Sequence, residues 1–205
     1  MSLLDSYLPV FKIVLQMISE PTLFIEYDDC RQECIVRLDQ AIYNAKIQDT
    51  SEAEKEAART AVIAWLDETI LLSTLPWRQR WQSESFQRKY LNTTVAGEFF
   101  FTLLEQLEPA HEQARAVFLF CLQLGFLGQY STQEDKTTLL NIIVEQRRLC
   151  LPEEWLEWPN HAAITPISAL IPATQSLYSL PLLSIVATTM LIYGILYIYL
   201  HHYVF

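Results

Sequence analysis

Glycine is nearly missing from this chain: Gly97, Gly125, Gly128 and Gly194 are the only four in 205 residues. So few leave little room for tight-turned sheets or a phosphate-cradling loop, while Ala, Leu, Glu and Gln are plentiful, and an all-α fold is expected. No Walker sequence, GxGxxG, HExxH or G-x-S-x-G occurs, which removes the common nucleotide, metalloprotease and hydrolase readings. The four cysteines, Cys30, Cys34, Cys121 and Cys150, show no CxxC or paired metal spacing and are expected as buried thiols. Cys30 and Cys34 share a helix face at i, i+4, but no His accompanies them as a further ligand. Before the terminal apolar run the histidines are His111 and His161, neither beside a Cys, Ser or acid that would make it a catalytic base. No enzyme, cofactor or metal is expected.

Positive charge is also short. Lys and Arg number 14 against 24 Asp and Glu, a formal net charge of −10, and no charged residue follows Glu157. That balance argues against a nucleic-acid partner, which needs clustered cations to displace counterions, and suits protein partners.

The uncharged end contains Leu182 to Leu200, LLSIVATTMLIYGILYIYL. A helix of this length reaches about 28 Å, close to the thickness of a bilayer's hydrocarbon core. A buried core helix is the alternative, but the segment is apolar all round and followed by His201, His202, Tyr203, Val204 and Phe205, so a single membrane span is expected. Pro181 suits its first turn, and Tyr197, Tyr199, Tyr203 and the His pair suit the headgroup region. No Lys or Arg lies near enough to orient the span. With no N-terminal signal, the acidic part is expected to stay on the cytoplasmic side. Gly194 has no partner for GxxxG, so nothing in this segment specifies pairing, and a homo-oligomer stays open. The expected layout is a helical domain over 1–150, a Pro-containing linker over 151–180, a transmembrane helix over 181–200 and a translocated tail over 201–205.

Seven helices are expected in the charged part. Leu3, Leu4, Tyr7, Leu8, Phe11, Val14, Leu15 and Ile18 set a helical period that Pro21 closes. The stretch from Asp28 to Gln48 is amphipathic. Ser51 with Glu54 forms an S-x-x-E capping box opening a helix to about Ser73. On that third helix Ala58, Ala61, Val62, Trp65, Thr69 and Leu72 make one stripe, while Ile63, Ile70 and Leu71 project elsewhere. A basic, aromatic segment follows, with Trp77, Trp81, Phe86 and Tyr90 among Arg78, Arg80, Arg88 and Lys89. A stacking surface for nucleic acid is one reading, but the i, i+4 aromatic spacing and acidic surroundings favour a partly buried helix. Three more helices are expected, from Gly97 to before Pro109, from His111 to about Leu127, and from Gln133 to Leu149 with Glu134 and Asp135 first and Arg147 and Arg148 last.

Two features stand out. Asp67 falls by 100° steps amid Ile63, Ile70 and Leu71, with Glu68 at the edge of the main stripe; an acid placed there requires an explanation. It either caps or hydrogen-bonds neighbouring backbone, or the pair lines a cleft for a partner's cations. Being adjacent, the two carboxylates diverge and do not suit a shared scissile bond. The second feature is CLQLGFLGQY, where Gly125 and Gly128 allow a tight helix exit and close backbone approach before Tyr130.

Taken together, AVIAWLDETILLSTLPWRQRW (61–81), GEFFFTLLEQL (97–107) and FLFCLQLGFLGQY (118–130) resemble the DotU/TssL family, also called IcmH, of type VI and type IVB secretion systems. The resemblance implies two packed three-helix bundles in a hook-shaped cytoplasmic domain, anchored in the bacterial inner membrane. It also implies a structural role, joining an IcmF/TssM-like membrane partner, and through it a TssJ-like lipoprotein, to a TssK-like baseplate protein. The family's acidic pair maps onto Asp67 and Glu68 as partner-binding residues. Gly125, Phe126, Gly128 and Tyr130 map onto a motif that fixes the bundle junction. The absence of an N-terminal extension favours type VI over type IVB. A generic tail-anchored adaptor and a tail-anchored enzyme using Asp67 and Glu68 are the competing readings.

Overall fold

A computed structural model describes residues 2–152. The chain divides into Met1–Glu157 and Trp158–Phe205, and the described residues lie in the first of these. The expected span 181–200, the tail 201–205 and the linker beyond Pro152 fall outside the described residues. Within the described residues no helix is long and apolar enough to cross a membrane.

The described residues form eight helices and no strand: α1 (Leu3–Ser19), α2 (Tyr27–Lys46), α3 (Glu52–Leu72), α4 (Arg78–Ser83), α5 (Phe86–Leu91), α6 (Ala96–Gln106), α7 (Glu112–Gln123) and α8 (Lys136–Cys150). Six longer helices fall into two groups of three, α1 to α3 and α6 to α8, with α3 common to both because it also packs on α6 and α7. Local signals start the first group. Ser2 Oγ accepts from Asp5 N–H at 3.2 Å while Asp5 Oδ2 accepts from Ser2 N–H at 2.8 Å, a reciprocal capping box opening α1. Ser51 Oγ accepts from Glu54 N–H at 3.2 Å and opens α3.

α3 is the hub because its sequence carries small and large apolar residues all round. Ala57, Ala58, Ala61 and Ala64 let neighbouring backbones approach, and Trp65, Val62, Ile63, Leu66 and Ile70 fill the space between them. Trp65 packs against Phe11 of α1 at 4.6 Å between ring centroids. Each such buried large side chain contributes about 1.5–3 kcal/mol of transfer free energy. Leu72, expected on the buried stripe, is instead 68% exposed: it is the last residue of the helix, where the chain turns away and none of the described residues covers the stripe's end. Cys34 is buried with its thiol 3.9 Å from Met17 Sδ, and burial pushes it up to about 12. Such a thiol is packing material rather than a nucleophile.

The basic, aromatic segment departs from one helix into two, α4 and α5, broken at Glu84 and Ser85. Its rings face inward and stack on one another, Trp77 to Trp81 at 5.8 Å, Trp81 to Phe86 at 4.7 Å and Phe86 to Tyr90 at 5.4 Å. Trp81 and Phe86 have no exposed surface, so this is core and not a platform for bases.

α7 ends at Gln123, four residues short of the expected Leu127, through a Schellman motif. Phe126 N–H donates to Cys121 C=O at 3.2 Å and Gly125 N–H to Leu122 C=O at 3.0 Å, with Gly125 at φ +92°. α8 starts at Lys136, leaving Glu134 and Asp135 just outside it.

Candidate functional site

Three carboxylates of α3 hold together segments that are distant in sequence, each by accepting backbone N–H groups that have no other partner among the described residues. Glu54, 6% exposed, places Oε1 3.2 Å from Gln113 N and 3.3 Å from Ala114 N. These are orphan donors at the start of α7, whose own N-cap residue His111 makes no side-chain capping bond to the helix. The S-x-x-E pattern marked Glu54 as the partner of Ser51, but the side chain serves a second helix.

Asp67 does the same for α5. It is 2% exposed, and its Oδ1 accepts from Trp81 Nε1–H at 2.8 Å and Phe86 N–H at 3.0 Å while Oδ2 accepts from Gln87 N–H at 2.8 Å. Ser85, the N-cap residue of α5, makes no side-chain bond; the cap is supplied from α3. This explains the break between α4 and α5: a single helix would have consumed the Phe86 and Gln87 amides internally. Gln87 extends the chain of bonds, its Oε1 accepting from Ala96 N–H, the first residue of α6, at 3.1 Å. The Arg31 guanidinium lies over the Trp81 and Phe86 rings at 5.1 and 5.0 Å and its charge favours the Asp67 carboxylate.

Glu68, one position and about 100° further round the helix, reaches the turn after α7. Its Oε1 accepts from Leu127 N–H at 2.7 Å and its Oε2 from Gly128 N–H at 2.8 Å. Gly128 sits at φ +52°, and a Cβ on it would meet Gly97 O at 2.8 Å and Phe101 Cε2 at 2.8 Å. The turn therefore lies directly on the start of α6. Phe126 packs on Phe100 at 4.2 Å between centroids and Tyr130 meets Phe101 edge-on at 4.6 Å. The two glycines divide their tasks: Gly125 reverses the chain with open space around it, and Gly128 permits the approach to Gly97.

Asp67 and Glu68 floor a cleft of about 270 Å³, whose walls include Leu72, Gln87, Thr94 and Gly97. The structure thus brings the acid pair and the Gly125–Tyr130 motif to one place. Both carboxylates accept from internal donors, which is the backbone-bonding alternative read from the sequence, and Asp67 is almost wholly buried. The two serve different segments, Asp67 accepting from Trp81 and the start of α5 and Glu68 from the turn after α7. Sequence reasoning missed Gln87 and the pairing of Gly97 with Gly128. The scarcity of glycine was the available signal, because two of four glycines meet at one contact.

Burial pushes the pKa of Asp67 up, opposed by the Gln87 and Phe86 amides, Trp81 and Arg31, and pushes Glu68 up, opposed by the Leu127 and Gly128 amides. A carboxyl whose folded pKa exceeds its unfolded one binds more protons folded than unfolded between the two values. Its contribution is present below the unfolded pKa and is lost as pH rises through the folded one. The urea midpoint of the wild type should therefore carry a downward component as pH rises from the ordinary carboxylate range through these raised values. Glu68→Gln should show a shallower fall over that window; an unchanged slope would remove Glu68 as a source.

The family described as "Type VI secretion system protein DotU" matches residues 2–203. The fold is similar to that of TssL from Vibrio cholerae, with a TM-score of 0.63, 25% identity, and coverage of 75% of this chain and 96% of that one. It is also similar to the cytoplasmic domain of TssL from Acinetobacter baumannii, with a TM-score of 0.62, 23% identity, and coverage of 73% and 96%. Among curated proteins none matches.

Proposed function

Since the chain belongs to the DotU family of type VI secretion system proteins, we propose that it is the inner-membrane scaffold of such a system, with its helical domain in the cytoplasm. In this reading residues 181–200 span the membrane once, 151–180 connect the span to the domain, and 201–205 emerge on the far side. The protein joins an IcmF/TssM-like membrane partner, and indirectly a TssJ-like lipoprotein, to a TssK-like baseplate protein. The observation that carries the proposal is the family match from residue 2 to residue 203, which takes in both the acid-pair cleft and the uncharged segment.

Within this reading Asp67 and Glu68 serve partner binding indirectly. They hold α5 and the Gly125–Tyr130 turn in register around the cleft, and the exposed rim residues Leu72 and Thr94 make the contacts. Affinity purification of the full chain in mild detergent should recover both a membrane partner and a baseplate protein. Leu72→Asp, at a position where the fold asks for no apolar side chain, should lose the baseplate protein and keep the membrane partner. Recovery of neither companion from wild-type membranes would sink the scaffold reading and favour an adaptor outside secretion. Loss of both in Leu72→Asp would sink the assignment of the cleft.

A further inference from the structure

A second surface, sharing no residue with the acid-pair cleft, lies where the α1–α2 loop meets the first turns of α2. Its sequence, EPTLFIEYDD from Glu20 to Asp29, puts three large apolar residues in a row between acids. Two of them remain out in solvent, Leu23 at 70% and Ile25 at 63% exposure. Between the loop and α2 is a groove of about 480 Å³, floored by Met17, Phe24 and Cys30 and rimmed by Glu26, Asp29 and Glu33.

The loop is held rather than loose. Leu23 N–H donates to Glu20 C=O at 2.9 Å, Phe24 N–H to Pro21 C=O at 3.4 Å, and Trp77 Nε1–H to Phe24 C=O at 2.8 Å. Tyr27 and Trp77 lock edge to face beneath it at 5.7 Å. An apolar pair displayed on a pinned loop gives up little conformational entropy when covered, which is the property of a binding anchor. The charges around it are one-sided. Asp28 is bonded to Arg80 at 2.8 Å and Glu33 to Arg37 at 2.7 Å, but Glu26 and Asp29 carry no ion pair among the described residues. Arg31, the cation nearest in sequence, faces Glu84 and the Trp81 ring instead.

We propose that this groove is a docking site for a basic amphipathic helix of a partner protein, apolar side chains seated on Leu23, Phe24 and Ile25 and Lys or Arg side chains against Glu26 and Asp29. An anionic membrane does not fit the acidic rim. The surface combines the apolar anchor and the opposite charge that give such a helix affinity and orientation.

The test uses the purified full chain in a nonionic detergent and a fluorescein-labelled synthetic helix of alternating Leu and Lys faces, with a Leu/Glu helix of the same pattern for comparison. Anisotropy is read against empty micelles. The Leu/Lys helix should bind the wild type, and Leu23→Asp with Ile25→Asp should weaken it about tenfold or more. Both residues are exposed, so helical circular dichroism should be unchanged. Glu26→Lys with Asp29→Lys should shift preference to the Leu/Glu helix, a swap that mere loss of folding does not produce. Equal loss from neutralising the remote exposed acids Glu105 and Glu108 would overturn the proposal, as would binding indifferent to Leu23 and Ile25. Self-association of the wild type that Leu23→Asp with Ile25→Asp abolishes would assign the face to a second copy and overturn it too.

Discussion

Replacing Asp67 with alanine is expected to destabilise the domain by about 3–5 kcal/mol, the range for removing one member of a buried, charge-assisted network. Three donors lose their acceptor at once: Trp81 Nε1, buried with no exposed surface, and the amides of Phe86 and Gln87 at the start of α5. None has a substitute in reach from its own segment, since Ser85 makes no cap. For a domain of this size the loss corresponds to a fall in Tm of roughly 6–20 °C. Asp67→Asn keeps the shape but offers one acceptor oxygen and turns an NH2 toward N–H groups, so about 2–4 kcal/mol is expected there. Combining it with Trp81→Phe, which withdraws one of the stranded donors, should cost less than the sum of the two single changes. Denaturant unfolding of the full chain in detergent, followed by tryptophan fluorescence, compares the wild type with the three single variants and the double variant. If Asp67→Ala lost less than about 1 kcal/mol, the carboxylate would not be the fastening described.

Gly128→Ala should be the second large effect, about 3 kcal/mol or more, from two sources. An L-residue at φ +52° costs about 1–2 kcal/mol over glycine. The added Cβ would also stand 2.8 Å from Gly97 O, a backbone atom that moves only if the start of α6 moves. The companion change Gly125→Ala separates these causes: its φ of +92° is strained, but nothing lies within 4 Å of its Cβ, so the loss should be confined to about 1–2 kcal/mol. Equal losses at the two positions would show that the Gly97 contact has no energetic weight. Because Gly128 N–H also donates to Glu68, displacing the turn should lower the response to Glu68→Gln in the Gly128→Ala background.

Helix existence was legible in the sequence to within a few residues, since apolar spacing, the Ser51 cap and the prolines act locally. In the segment around Trp81, where the sequence reading went astray, a distant residue was the reason. The expected single helix around Trp81 became two because Asp67, 19 positions from Phe86 in the chain, claims the amides a continuous helix would have used. The role of Glu54 was half visible. Its bond from Ser51's side of the helix start is a local pattern, whereas its bonds to Gln113 and Ala114 span 59 and 60 positions. Leu72 obeyed the period and still came out exposed, because periodicity says which way a side chain points and not whether anything is there to meet it.

The acid pair shows the same division. That an Asp amid Ile63, Ile70 and Leu71 needed an explanation followed from 100° geometry and the cost of burying a carboxylate, both properties of a lone helix. Which donors would answer it could not follow, because orphan N–H groups exist at every helix start and the sequence does not say which starts are brought near. Composition and period by themselves determined an all-α, acidic chain with one uncharged segment and a glycine-dependent turn. Only tertiary structure decided that α3 is the common member of both helix groups and that its three carboxylates each close a different joint. Side-chain spacing along a helix is set by local backbone geometry, whereas the pairing of a buried charge is set by whichever segments the whole core holds within 3 Å of it.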